Sequence, residues 1–86
     1  MKNCHVYILY SESRDRYYIG YTCDEIESRV SKHNSKHKGY TGSVNDWRLV
    51  YYEIHRSKEE AIQRERKIKS WKSRVKIEGL IKEWRN

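Results

Sequence analysis

The sequence predicts a small α+β domain, in which a three-stranded, mainly antiparallel sheet is flanked by three helices in the order β-β-α-β-α-α. Two short segments near the start are rich in aromatic and β-branched residues and are separated by a polar stretch, as in a β-hairpin. Later segments space their apolar residues as helices do. Because 86 residues leave room for one core, we predict a single domain over residues 1–86.

The predicted strands are residues 4–10, 17–22 and 47–55. The first two form the hairpin, and residues 11–16 supply its polar turn. A basic loop at residues 35–46 leads into the third strand, which has the same aromatic and β-branched character.

A symmetric turn would place Tyr10 opposite Tyr17 and Tyr7 opposite Gly20. The two-residue period of a strand then sorts the side chains onto two faces. One face carries Val6, Ile8, Ile19 and Tyr21, and the other carries Tyr7, Leu9, Tyr18 and Gly20. In this register Tyr7 and Tyr18 are diagonal neighbours, close enough to act on one ligand.

The first helix is predicted to begin after Asp24, because Asp24 and Glu27 have the spacing of an N-cap and its capping-box partner. It runs through about Asn34, with Ile26 and Val30 facing the core.

The second helix has the same start signal in Ser57 and Glu60 and runs through about Ser70. Its apolar stripe consists of Ala61, Ile62 and Ile68. Glu65 falls inside this stripe, where a carboxylate is unexpected. A last helix from about Ser73 carries apolar residues at helical spacing, namely Ile77, Leu80, Ile81 and Trp84.

The composition points to an anionic partner. Nineteen Lys and Arg against twelve Asp and Glu give a formal net charge of +7, which is typical of proteins that bind nucleic acid phosphates. The eight Tyr and three Trp, with no Phe, bury large areas and keep a polar group available, so they predict a folded core.

The chain has no apolar segment of the length that crosses a bilayer, and its start lacks the apolar stretch of a signal peptide. We therefore expect a cytoplasmic protein with no membrane partner. Cys4 and Cys23 form no CxxC pair and no metal-ligand set, so in a reducing compartment both are expected to be free thiols.

Glu65 has two interpretations. It is either a partly exposed residue that pairs with Lys69 one turn later, or a ligand for a divalent metal. The second interpretation is chemically reasonable because Mg²⁺ often takes only one or two protein carboxylates and completes its shell with water and phosphate oxygens.

Arg29 and His33 lie one turn apart on the predicted first helix. They are either part of a solvated basic face or a clamp that binds phosphate. Tyr7 and Tyr18 are either packing residues or phenols that handle protons and phosphate. A phenol that serves as general base needs a cation or metal nearby. With Glu65, these residues are the groups required for metal-assisted phosphodiester hydrolysis.

These residues also carry a family resemblance. His5-Val6-Tyr7 stands where a Gly-Ile-Tyr triplet would stand, and Tyr18-Ile19-Gly20 is an intact second triplet. Arg29, His33 and Glu65 follow in the expected order, and residues 38–41 and 69–72 match as well. The chain therefore resembles the GIY-YIG nuclease superfamily, most closely its small standalone members.

The resemblance implies a three-stranded antiparallel sheet and one divalent metal ion on Glu65, with Mg²⁺ first and Mn²⁺ as the alternative. It implies that Tyr7 is the general base or positions the attacking water, and that Tyr18 orients the phosphate or that water. Arg29, assisted by His33, would offset the charge that develops on the phosphoryl oxygens. The products would carry a 5′-phosphate and a 3′-hydroxyl.

The resulting prediction is a metal-dependent endonuclease that nicks DNA, or cuts structured DNA in repair or recombination, with low sequence specificity. RNA is an open alternative substrate. The residues expected to contact nucleic acid are Gly20, Lys36, Lys38, Tyr40, Lys69 and Lys72.

The chain departs from the family pattern at His5, where the first Gly would stand, and at Ile77, where several members carry Asn. Two other interpretations stay open. The chain could be a catalytically silent module that binds nucleic acid, or a subunit that cleaves only with a recruiting protein partner. A homodimer is a further alternative.

Overall fold

The computed structural model describes residues 3–35 and 44–85. Within these ranges the elements follow the predicted order and confirm the α+β class. They are β1 (Cys4–Ser11), β2 (Arg16–Thr22), α1 (Ile26–Asn34), β3 (Trp47–His55), α2 (Lys58–Ser70) and α3 (Arg74–Arg85). The predicted boundaries agree with these elements to within one or two residues, and β3 matches at both ends.

The three strands form one antiparallel sheet in the order β2-β1-β3. Tyr7 lies opposite Gly20 and Tyr10 opposite Tyr17, so the predicted hairpin register is confirmed. Because β1 is central, β2 lies at an edge of this sheet. Tyr18 and Gly20 are therefore on an edge strand, whereas Tyr7 is on the central strand and is buried.

The two faces of the sheet bury different side chains, as the alternation predicted. One face packs under α2 and α3 in a core formed by Val6, Ile8, Ile19, Ala61, Ile68 and Ile81. The other face buries Tyr7, Leu9 and Trp47, and Val30 of α1 packs against them. Helix α1 therefore covers the face that carries Tyr7 and Tyr18.

The two predicted capping boxes had different outcomes. Ser57 caps α2 as predicted, and its side chain accepts a hydrogen bond from the backbone N–H of Glu60. The prediction for Asp24 was wrong, because Glu25 is the N-cap of α1 and no side chain caps that helix. The backbone N–H of Asp24 instead donates to Thr22 Oγ1 at 3.0 Å, which holds Asp24 in the preceding turn.

The expectation of two free thiols was also wrong, since Cys4 and Cys23 form a disulfide. The hairpin explains the pairing. His5 lies opposite Thr22, so the next pair outward brings Cys4 and Cys23 together, with Cα atoms 4.0 Å apart. The bond ties the start of β1 to the segment between β2 and α1.

Across residues 3–35 and 44–85, none of the helices is long and apolar enough to cross a membrane.

Candidate active site

Four of the five predicted catalytic side chains line one cleft of about 400 Å³ beside the edge strand β2. Tyr7 comes from β1, Tyr18 from β2, Arg29 from α1 and Glu65 from α2. Residues that are far apart in the sequence therefore meet at the place where both helices reach the edge of the sheet. The fifth residue, His33, lies behind Tyr7 and lines a neighbouring cavity with Arg29.

The phenols of Tyr7 and Tyr18 are neighbours, with ring centroids 6.4 Å apart. Gly20 makes this arrangement possible. A Cβ atom at Gly20 would lie 2.8 Å from Tyr7 Oη and 2.9 Å from Tyr18 Cε2, closer than non-bonded atoms approach. The absence of a side chain at Gly20 is therefore a requirement of the tyrosine pair.

His33 is buried, and its Nε2 forms a hydrogen bond of 3.1 Å with Tyr7 Oη. Its ring centroid also lies 4.5 Å from that of Tyr18. Tyr7, Tyr18 and His33 thus form one contiguous polar aromatic cluster.

Arg29 lies one turn before His33 on α1, and its Nε is buried without a hydrogen-bond partner in the described structure. A buried guanidinium donor without a partner is unfavourable unless a ligand supplies an acceptor. Because Arg29 lines the cleft, this donor is suited to an anionic oxygen bound there.

Glu65 pairs with Lys69, as one interpretation predicted, and its position leaves the metal-ligand interpretation open. Its side chain is only 15% exposed, it forms an ion pair with Lys69 at 3.7 Å, and it also lines the cleft. No cluster of three or more His, Cys, Asp and Glu suited to a metal occurs in residues 3–35 and 44–85. Glu65, with Asp24 in the same cleft, fits an ion such as Mg²⁺ that takes few protein ligands.

Burial raises the pKa of Tyr7 above its ordinary value, and the adjacent Arg29 opposes this effect. Burial also raises the pKa of Tyr18, and the negative charge of Glu65 adds to the increase. The residues of the chain therefore keep both phenols protonated at neutral pH.

Sequence reasoning missed Lys58, which lines the same cleft from the first residue of α2. The spacing of the two residues could have indicated this, because Lys58 precedes Glu65 by two helical turns and so lies on the same face of α2. Asp24, Thr22 and Tyr21 also line the cleft.

The residues predicted to contact nucleic acid are dispersed. Gly20 is buried beside the Tyr7 ring, Lys69 pairs with Glu65, and Lys72 lines a different cleft. The other three, Lys36, Lys38 and Tyr40, lie outside the described residues.

Comparison with known proteins identifies this arrangement. The family model for the GIY-YIG catalytic domain matches residues 3–79. The chain belongs to the GIY-YIG family. A GIY-YIG catalytic domain is a nuclease domain that binds DNA, and GIY-YIG nucleases generally use a divalent metal. The recognition of the family from the sequence is confirmed.

Its GIY-YIG relatives include the UPF0213 protein SH2523 of Staphylococcus haemolyticus, 35% identical over 81 residues, which are 93% of this chain and 96% of the relative. The UPF0213 protein SA0446 of Staphylococcus aureus strain N315 is 40% identical over 67 residues, 77% and 79% of the two chains. These relatives are similar in length to this chain. No solved structure shows significant similarity to it.

Proposed function

We propose that this GIY-YIG protein is a divalent-metal-dependent endonuclease that hydrolyses DNA phosphodiester bonds, nicking DNA or cutting structured DNA with little sequence specificity. The observation that carries the proposal is the convergence of Tyr7, Tyr18, Arg29 and Glu65 in one cleft at the sheet edge. These residues supply a proton-handling group, a phosphate-binding cation and a metal-binding carboxylate.

Glu65 would hold the metal, with Asp24 close enough to the cleft to assist. Mg²⁺ is our first choice and Mn²⁺ the alternative, because carboxylate and water oxygens are ligands that both ions accept. When bound, the ion would place positive charge beside the phosphoryl oxygens and favour ionised oxygen groups around it.

Arg29 and Lys58 would bind the phosphate. Both line the cleft, and the partnerless Nε of Arg29 supplies a donor for one phosphoryl oxygen. Charge on these oxygens increases as water attacks, so two fixed cations stabilise the transition state more than the ground state.

Tyr7 and His33 would move the proton. We infer that the neutral Tyr7 hydroxyl donates to His33 Nε2, across the 3.1 Å that separates the two atoms. As water attacks phosphorus, its proton passes to Tyr7 Oη while the phenolic proton passes to His33, so Tyr7 need not be ionised beforehand. The bond from phosphorus to the 3′ oxygen breaks, and this oxygen takes a proton from solvent. The products are a 5′-phosphate and a 3′-hydroxyl.

Tyr18 would orient the phosphate or the attacking water through its hydroxyl, since its ring lies beside both Tyr7 and His33. Ile77 does not line the catalytic cleft, so it takes no space from the substrate there. Its side chain packs against the core instead.

The test compares Glu65→Gln with Glu59→Gln, which makes the same change at an exposed position of the same helix. We expect Glu65→Gln to reduce nicking of a supercoiled plasmid in Mg²⁺ by at least about a hundredfold. Glu59→Gln should stay within about twofold of wild type, since it removes only a surface charge.

Nicking by Glu65→Gln at the wild-type rate would contradict the assignment of Glu65. Salt-sensitive DNA binding by the wild type, without nicking in Mg²⁺ or Mn²⁺, would favour the silent binding module. Nicking that appears only after a cell extract is added would indicate a recruiting partner, and sedimentation of the purified protein would test for a homodimer.

A further inference from the structure

A second cleft, of about 500 Å³, lies beside the start of β2 and the hairpin turn. Its walls are the hairpin turn, the start of β2 and the junction between α2 and α3. Its charged lining residues are four cations and one carboxylate, namely Arg14, Arg16, Lys72, Arg74 and Asp15. The positive surplus makes this cleft attractive to an anion.

Arg74 fixes the shape of this second cleft. It donates through Nη2 to Asp15 Oδ1 at 2.6 Å and through Nη1 to the carbonyl oxygen of Asp15 at 3.1 Å. Its Nε donates to Glu78 Oε2 at 2.9 Å. Because Arg74 is engaged with two carboxylates, anion binding depends on the remaining cations of the lining, among which Arg16 and Lys72 supply one from each wall.

Both walls contain a residue in the left-handed backbone region. Asp15 has φ of 52° and Lys72 has φ of 47°. Asp is tolerated there, but Lys72 follows the C-cap of α2, a position at which Gly is common. Lys72 thus ends α2 in the left-handed conformation common at this position, and the chain turns there toward α3.

The two clefts lie along one sheet edge. Tyr17 lines the second cleft and Tyr21 the catalytic cleft, and they are on the same strand. At a rise of about 3.3 Å per residue, about 13 Å separates their Cα atoms. A nucleic acid chain that follows this edge through the catalytic cleft would therefore also reach the second.

We propose that the second cleft binds the phosphodiester backbone of the DNA at phosphates that flank the scissile bond, mainly through Arg16 and Lys72. The identity of the ligand as DNA rests on the proposed function. Contacts of this kind position the strand without reading bases, which agrees with low sequence specificity.

The test compares the double variant Arg16→Gln/Lys72→Gln with Arg56→Gln/Lys67→Gln, which removes the same charge at exposed positions that line neither cleft. Binding of labelled single-stranded and duplex DNA is measured by fluorescence anisotropy in EDTA at several salt concentrations. We expect the first variant to lower the slope of log affinity against log salt by about 1.4 for single strands and about 1.8 for duplex. The control variant should match wild type.

The conservative exchange Arg16→Lys/Lys72→Arg keeps both charges and should keep the wild-type slope. An unchanged slope in the Gln double variant would overturn the proposal, as would an equal loss in the control variant. Thermal melting of every variant verifies that each is folded.

A second measurement uses a p-nitrophenyl ester of thymidine 5′-phosphate, which is too short to reach both clefts. We expect Arg16→Gln/Lys72→Gln to hydrolyse this diester at the wild-type rate and to nick plasmid at least about tenfold more slowly. Equal slowing on both substrates would contradict a flanking role. If the wild type cleaves neither substrate, the proposed function fails, and the binding measurement alone then decides the second cleft.

Discussion

At the scale of single residues, the proposed chemistry depends on the surroundings of the Tyr7 hydroxyl. The Tyr7 ring is buried, and its hydroxyl oxygen forms a hydrogen bond with His33. The absence of a side chain at Gly20 leaves room for this hydroxyl. Phe at position 7 would keep the packing of the ring and remove the hydroxyl together with its hydrogen bond to His33. Tyr7→Phe therefore tests the phenol in a variant that keeps the ring.

We expect Tyr7→Phe to lower the rate of nicking by about a hundredfold to ten thousandfold, because it removes proton transfer and leaves the cleft intact. The matched control is Tyr52→Phe, since Tyr52 lies opposite Tyr7 on β3 and outside the cleft. Rates are compared on supercoiled plasmid at saturating Mg²⁺. Wild-type activity in Tyr7→Phe would exclude the phenol as the proton acceptor.

At the scale of elements, α1 needs an anchor, because its start lacks a side-chain cap. Its last residue, Asn34, supplies one. The Asn34 side chain accepts from the backbone N–H of Trp47 at 2.7 Å and donates to the Trp47 carbonyl at 2.8 Å. This pair of bonds attaches α1, with Arg29 and His33, to the start of β3.

We expect Asn34→Ala to lower the free energy of unfolding by about 2 kcal/mol, because both backbone groups of the buried Trp47 lose their partner. For a domain of this size the midpoint of thermal unfolding should fall by roughly 10 °C. Asn45→Ala, at an exposed position between α1 and β3, should change the midpoint of thermal unfolding little. An Asn34→Ala midpoint equal to that of wild type would show that the anchor is dispensable.

At the scale of the whole molecule, the many tyrosines make stability sensitive to alkaline pH. Burial raises the pKa of Tyr7, Tyr17 and Tyr18, and burial together with a hydrogen bond to Glu53 raises that of Tyr51 to about 12. The folded protein thus holds these phenolic protons more tightly than the unfolded chain does. Their contribution to stability is complete below pH 10 and is lost as pH rises toward 12.

We expect the free energy of unfolding by urea to fall between about pH 10 and about pH 12, and to fall less steeply in Tyr51→Phe, which has one raised phenol fewer. Tyr52→Phe removes the phenol of the next residue in the sequence and serves as the control, so it should keep the wild-type slope. Identical slopes in all three proteins would show that Tyr51 does not contribute to the pH dependence of the free energy of unfolding.

Much of the fold was predictable from local pattern. A symmetric hairpin turn gave the register that pairs Tyr7 with Gly20, and the two-residue alternation then assigned the side chains to the two faces of the sheet. Ser57 was recognised as a cap for a similarly local reason, since its partner lies within one helical turn. The order of elements and the family motif needed no contacts between distant residues.

The sequence by itself therefore determined the elements, the register of the hairpin and the residue types available for the proposed phosphodiester chemistry. Only the tertiary structure decided which of these residues meet. It brought Lys58 into the catalytic cleft, joined Cys4 to Cys23 and engaged Arg74 with the hairpin turn. It also raised the pKa of Tyr7 by burial. The contact of Arg74 with the hairpin turn and the burial of Tyr7 depend on packing between segments that are remote along the chain, and such packing leaves no periodic signal in the sequence. Lys58 and the cysteine pair did have local signals, in the helical spacing of Lys58 and Glu65 and in the hairpin register, but their meeting in space is seen only in the fold.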